Sequence, residues 1–94
     1  MRAVQQRVAA EWGVTVDGLQ SKTRTKVLTT PRQVAMYLAR EILGLQLVEI
    51  GLAFGGRDHS TVIHSLERVA ETMKESAEFR NRVDHVRETV RHST

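Results

Sequence analysis

Four consecutive residues, Asp58-His59-Ser60-Thr61, place a carboxylate, an imidazole and two hydroxyls directly after the Gly55-Gly56-Arg57 run. An acid, a histidine and a serine invite comparison with a nucleophile–base–orienter chain. That chemistry needs three side chains converging through hydrogen bonds, and three successive residues at a helix start point in different directions, so no catalytic residue is expected. The histidines suggest no metal either. Neither His59 and His64 nor His85 and His92 have the i, i+4 spacing of paired helix ligands, and no acidic partner is arranged for them. The absence of cysteine excludes a thiolate nucleophile, a disulfide framework and a Cys-based zinc site. Short polar side chains on the first turn of a helix can instead come close to a base edge. Asp58 can accept from a cytosine amino group, hydroxyls or imidazole can donate to base or phosphate oxygens, and the N–H groups of the helix start attract phosphate.

Charge points the same way. The 94 residues carry 14 Lys and Arg against 11 Asp and Glu, a net +3. No acid lies between Asp17 and Glu41, a window that holds Lys22, Arg24, Lys26, Arg32 and Arg40, while the rest of the chain is slightly acidic. A basic segment on a nearly balanced body is the footprint expected for a polyanion, although a solvated basic loop without a partner has the same composition. Most of the cations are Arg, whose planar fork suits phosphate and guanine edges. The length fits one domain, residues 1–94, and the 40% hydrophobic content is ordinary for a folded one. No apolar run approaches the ~18 residues of a membrane span, and no signal-peptide pattern opens the chain.

These groups need elements to position them, and the periodicity reads as helical throughout. Val4, Val8 and Trp12 predict a helix over 2–12 that stops at Gly13, and a short helix follows near 16–20. Residues 21–30 read as an exposed basic loop. A longer helix is expected from Thr30-Pro31, with Thr as N-cap and Pro at the first helical position, ending at Gly44. Its Val34, Leu38 and Ile42 form an apolar face, while Arg32, Met36 and Arg40 line another. Leu47, Ile50 and Phe54 mark a short helix stopped by Gly55-Gly56. A helix capped near Asp58 then carries Val62, Leu66, Val69 and Met73 inward, with His59, Ser60, Ser65 and Arg68 on the opposite side. A last helix spans about 77–92. Its Arg80, Arg82, Arg87 and Arg91 interleave with acids, and read as a solvated face or an auxiliary DNA contact. The expected architecture is all-α: a compact bundle of five to six helices with a helix-turn-helix at about 46–74, Trp-repressor-like in fold. In such a motif the second helix enters the major groove. Helical hairpins with glycine turns also occur with no such role.

The run Ile50-Gly51-Leu52-Ala53-Phe54-Gly55-Gly56-Arg57-Asp58-His59-Ser60-Thr61-Val62 closely resembles the signature of the C-terminal DNA-binding domain of the bacterial replication initiator family DnaA. Ser21-Lys22-Thr23-Arg24, followed by Pro31-Arg32-Gln33-Val34-Ala35-Met36-Tyr37-Leu38-Ala39-Arg40-Glu41, is similar to the same domain's basic loop and following helix. The resemblance covers about residues 4–90, with two separate motifs in the right order. It implies sequence-specific binding of double-stranded DNA at DnaA boxes of the replication origin. Arg24 corresponds to the arginine that reads the minor groove, and Asp58, His59 and Ser60 to residues facing bases in the major groove. Lys22, Lys26, Arg32, Gln33, Arg40, Arg57 and Thr61, with the backbone amides of Leu47 and Val48, match positions near phosphates.

Ser60 stands where the family most often has Thr, which removes a methyl that could pack on thymine. Val48 stands where Pro is common, and Thr23, Lys26 and Thr30 where some relatives carry Arg. The family's full-length protein is an ATPase, and the phosphate-binding pattern G-x-x-x-x-G-K-[ST] does not occur in these residues, so neither ATP hydrolysis nor a cofactor is expected of this chain. A cytoplasmic, nucleoid-associated monomer is the expected state. The resemblance of the amphipathic start (Arg2, Val4, Arg7, Val8) to the family's interdomain region gives a weaker pointer to acidic phospholipids. The alternatives left open are a Trp-repressor-like transcription regulator, which would dimerise on a palindrome, and a basic protein-interaction module indifferent to DNA sequence.

Overall fold

Val4, Val8 and Ala9 fall on one side of the first helical segment and all three are buried, the pattern of an amphipathic helix laid on a core. In the computed structural model, which describes residues 1–23 and 25–92, this segment is α1 (Arg2–Trp12). It is followed by α2 (Val16–Gln20), α3 (Lys26–Leu43), α4 (Leu47–Ala53), α5 (His59–Glu75) and α6 (Ala77–His92). No strand occurs among the described residues, and no described helix is long and apolar enough to cross a membrane. The central α3 packs on every other helix, most extensively on α5, and its Val34, Ala35, Leu38 and Ala39 are completely buried. Small side chains on that stripe let neighbouring helices approach closely.

Helix α3 begins at Lys26, not at Thr30-Pro31 as its sequence suggests, so Pro31 lies inside the helix and the basic segment before it shortens to residues 21–25. Pro31 is the sixth residue of α3, past the orphan amides of the helix start, so it forgoes the bond to the Val27 carbonyl, a local cost that other contacts must offset. The turn ahead of it closes on the Thr25 carbonyl, which accepts from the Leu28 and Thr29 amides at 3.0 Å each and from the Thr29 hydroxyl. Burial of the Pro31 ring adds packing that favours the longer helix. Two further expectations change. Met36 is fully buried, and Ser65 turns inward to donate from Oγ to the Thr61 carbonyl at 2.9 Å.

Helix α6 closes the bundle with Val83, Val86 and Val90 and with ion pairs. Arg82 donates to the Glu11 carboxylate and to the Glu11 carbonyl, both at 3.0 Å, while its guanidinium lies 4.2 Å from the Trp12 ring centroid. Trp12 meets Phe79 edge to face at 6.4 Å. Arg87 donates to Glu41 on α3 and to Asp84 on its own helix. Much of the basic character of α6 is therefore engaged within the molecule.

Helices α4 and α5 meet through Gly51. Its carbonyl accepts three backbone N–H groups, from Phe54 at 3.2 Å and from Gly56 and Arg57 at 3.0 Å. The turn folds so tightly over it that a Cβ on Gly51 would lie 2.1 Å from the Arg57 carbonyl oxygen. Helix α5 then starts on Asp58, whose carboxylate accepts from the Thr61 amide at 2.9 Å.

Two predictions follow from this turn. Gly51→Ala forces backbone apart, and should lower unfolding stability by about 2 kcal/mol or more in chemical denaturation, in the range of overpacked interiors. The Thr61 amide holds the Asp58 carboxyl below its ordinary value of 3.8. A depressed acid contributes stability that is complete above its unfolded value and is lost as pH falls through the folded one. Asp58→Asn should therefore flatten the acid limb of a melting-temperature profile below about pH 4, leaving the neutral-pH value nearly unchanged because Asn also caps. An unaltered acid limb would show that the cap carries no such linkage.

Candidate nucleic-acid interface

The charge pattern and the capped start of α5 come together on one face. Lys22 from the basic segment, Gln33 from α3, Arg57 from the turn and Thr61 from α5 line a single open groove. Its floor holds Met36, Ser65 and the Gly55-Gly56 backbone. Asp58, His59 and Ser60, the residues expected to meet bases, are all exposed at the adjoining end of α5. Asp58 is partly committed, since one carboxylate oxygen caps its own helix. With Arg32, five of the residues expected near phosphates thus share a concavity beside the three expected near bases, although they come from separate parts of the chain.

The turn allows this meeting. Gly55 has a positive φ of 85°, and a Cβ there would lie 2.6 Å from the Gln20 carbonyl oxygen, so the end of α2 rests against the turn of the helix pair. Arg57 bends back to donate to the Phe54 carbonyl. The nearby Gln5 side chain, almost fully buried, donates to the Ala53 carbonyl at 3.2 Å and accepts from Gln20 Nε2 at 3.0 Å, which links α1 to both neighbours of the groove.

Arg32 lies in the groove wall but is not an exposed phosphate grip. It is only 4% exposed, and its fork points inward: Nε donates to Leu19 O at 2.9 Å, Nη1 to Thr23 O at 2.9 Å, and Nη2 to Gly18 O at 3.0 Å. A longer contact from Nη2 reaches Ser21 Oγ at 3.4 Å. The structure therefore gives this guanidinium backbone acceptors where the sequence suggests an outward contact. Burial, and then the positive charge of Arg57, lower its pKa below the usual guanidinium range.

The other expected residues sit at the margins. Lys26 is exposed on the first turn of α3. Arg40 is exposed near its end, donating to the Leu45 carbonyl at 2.7 Å, which brings it beside the segment leading into Leu47 and Val48 at the start of α4. Arg24 lies outside the described residues. Thr29 also lines the groove and was not legible as a site residue. Once α3 is extended back to Lys26, Thr29 falls four residues before Gln33, on the same helical face.

Comparison with known proteins gives this geometry a family. Among solved structures, a DNA replication initiation factor matches with a TM-score of 0.82 and 33% identity over 93% of this chain and 26% of its own. AMPPCP-bound DnaA from Aquifex aeolicus matches with a TM-score of 0.76 and 30% identity over 98% of this chain and 28% of its own. The chain thus spans about a quarter of the length of these structures. The family described as the bacterial dnaA protein helix-turn-helix matches residues 1–69, from α1 into α5. With that match across most of its length, the chain belongs to the bacterial DnaA helix-turn-helix family.

Proposed function

We propose that this chain binds double-stranded DNA sequence-specifically, recognising DnaA boxes of a replication origin, and so contributes to the initiation and regulation of chromosomal replication. The observation that carries this reading is the groove that gathers Lys22, Gln33, Arg57 and Thr61 next to the exposed start of α5. A helix N-terminus flanked by cations suits insertion into a major groove between two phosphate backbones. His59 and Ser60 would face base edges there, with the second oxygen of Asp58 available to a cytosine amino group. Lys22, Gln33, Arg57 and Thr61 would hold one stretch of backbone. Arg40, Lys26 and the Leu47 and Val48 amides would hold others, and Arg24 would read the adjacent minor groove. The domain works as a monomer on an asymmetric site, in the nucleoid.

Fluorescence anisotropy with a DnaA-box duplex and a scrambled duplex of equal composition, at two salt concentrations, tests the proposal. A preference of ~100-fold or more that survives the higher salt is expected; equal binding that collapses with salt would reduce the groove to a non-specific basic patch. Within the box, His59→Ala should cost about 1–3 kcal/mol and relax one position. Lys22→Ala or Arg40→Ala should weaken all sequences alike and lower the salt slope by about 1. Ser60→Thr restores a methyl and should sharpen the preference for one thymine; unchanged base preference would remove Ser60 from the reading set.

A further inference from the structure

No described residue between Leu19 and Pro31 is buried. The segment that leads from α2 toward α3, and carries Lys22 to the groove, is consequently without an apolar anchor. Polar bonds hold it instead, and they converge on one side chain. Arg32 takes the carbonyls of Gly18, Leu19 and Thr23, and Ser21 Oγ adds local ties, donating to Gly18 O at 2.8 Å and accepting from the Thr23 amide at 3.3 Å. The donor comes from the rigid middle of α3, between buried Pro31 and buried Val34.

We propose that Arg32 is a positioning residue: its buried fork ties the Thr23 carbonyl to those of Gly18 and Leu19 in core-anchored α2, fixes the path of residues 20–23 against α3, and so sets where the basic segment stands relative to the start of α5. Carbonyls that accept from a charged, desolvated donor are held more strongly than carbonyls shared with water. A lysine keeps the charge but has one ammonium on a flexible stem, and cannot span acceptors that the planar fork spans together. Charge and geometry can therefore be separated by substitution. The inference deepens the DNA-binding reading and rests on it for its consequence, but not for its structural content.

The test has two arms. In the free protein, limited trypsin digestion followed by mass spectrometry measures the cleavage rate after Lys22. Arg32→Lys should raise that rate by about tenfold or more, the effect of losing one net charged hydrogen bond on local opening. Ser21→Ala, a gentler variant that leaves α3 intact, should raise it by about threefold. In the DNA arm, Arg32→Lys should lose most of its preference for the box over the scrambled duplex while the salt slope on the scrambled duplex stays at the wild-type value. A residue gripping phosphate directly would behave in the opposite way: Lys would retain the preference, and cleavage after Lys22 would match wild type. That result overturns the inference. Should Arg32→Lys not fold, wild-type cleavage in Ser21→Ala would do the same. Wild-type protein with no box preference would instead sink the DNA-box reading and leave the cleavage arm standing.

Discussion

A single backbone carbonyl, that of Gly51, accepts three amides from the turn that follows it, and the Arg57 carbonyl oxygen passes where any side chain on Gly51 would have to be. This contact sets how α4 enters α5, and most of the functional face depends on it. It drops Phe54 into the core, where the ring is completely buried. It swings Gly55 against the end of α2, and it delivers Asp58 to the position from which the next helix is capped. The same turn therefore places the N-terminus of α5 and the basic segment side by side, although nearly forty residues of chain separate them.

The molecule uses two kinds of adhesive, and they are divided between its faces. The interior is a lattice of Val, Ala and Leu centred on α3, supplemented by Ile50 and Phe54, where non-directional burial suffices to hold helices together. Around the groove, apolar anchors give way to directional bonds: the fork of Arg32, the amide of Gln5, the cap of Asp58 and the hydroxyl of Ser65. No buried side-chain nitrogen or oxygen among the described residues is left without a partner. Directional bonds specify position more narrowly than burial does, which would suit the proposed role of this surface, where cations have to match a fixed spacing of phosphates.

The helices were largely legible because their apolar residues repeat at helical spacing and because Gly13 and Gly44 stop two of them. The start of α3 was not. Thr30-Pro31 is a good local start, yet the turn at Thr25 and the burial of Pro31 prevail over it. Arg32 illustrates the same limit within the site. Its type and its neighbourhood of cations indicate an outward phosphate contact, whereas its direction depends on where the carbonyls of residues 18–23 come to lie, a long-range property that spacing does not encode. Ser65 turned inward for a different, local reason: its hydroxyl bonds back to its own helix and so tolerates burial. Asp58, His59 and Ser60 were readable because a cap and a first turn are local features.

Helix α6 meets α1 through a stack in which Arg82 covers the indole of Trp12, with Phe79 at its edge. Trp12 is the only tryptophan of the chain, and neither of these ring partners lines the groove. Its intrinsic emission is therefore a private reporter of the α1–α6 seam. Peeling α6 away would expose the indole to water and redden its spectrum, whereas a duplex seated in the groove would leave the signal to follow the scaffold alone. One chromophore supplied by the native sequence can thus follow integrity of the bundle while a label on the nucleic acid follows occupancy, and the two optical channels remain separate.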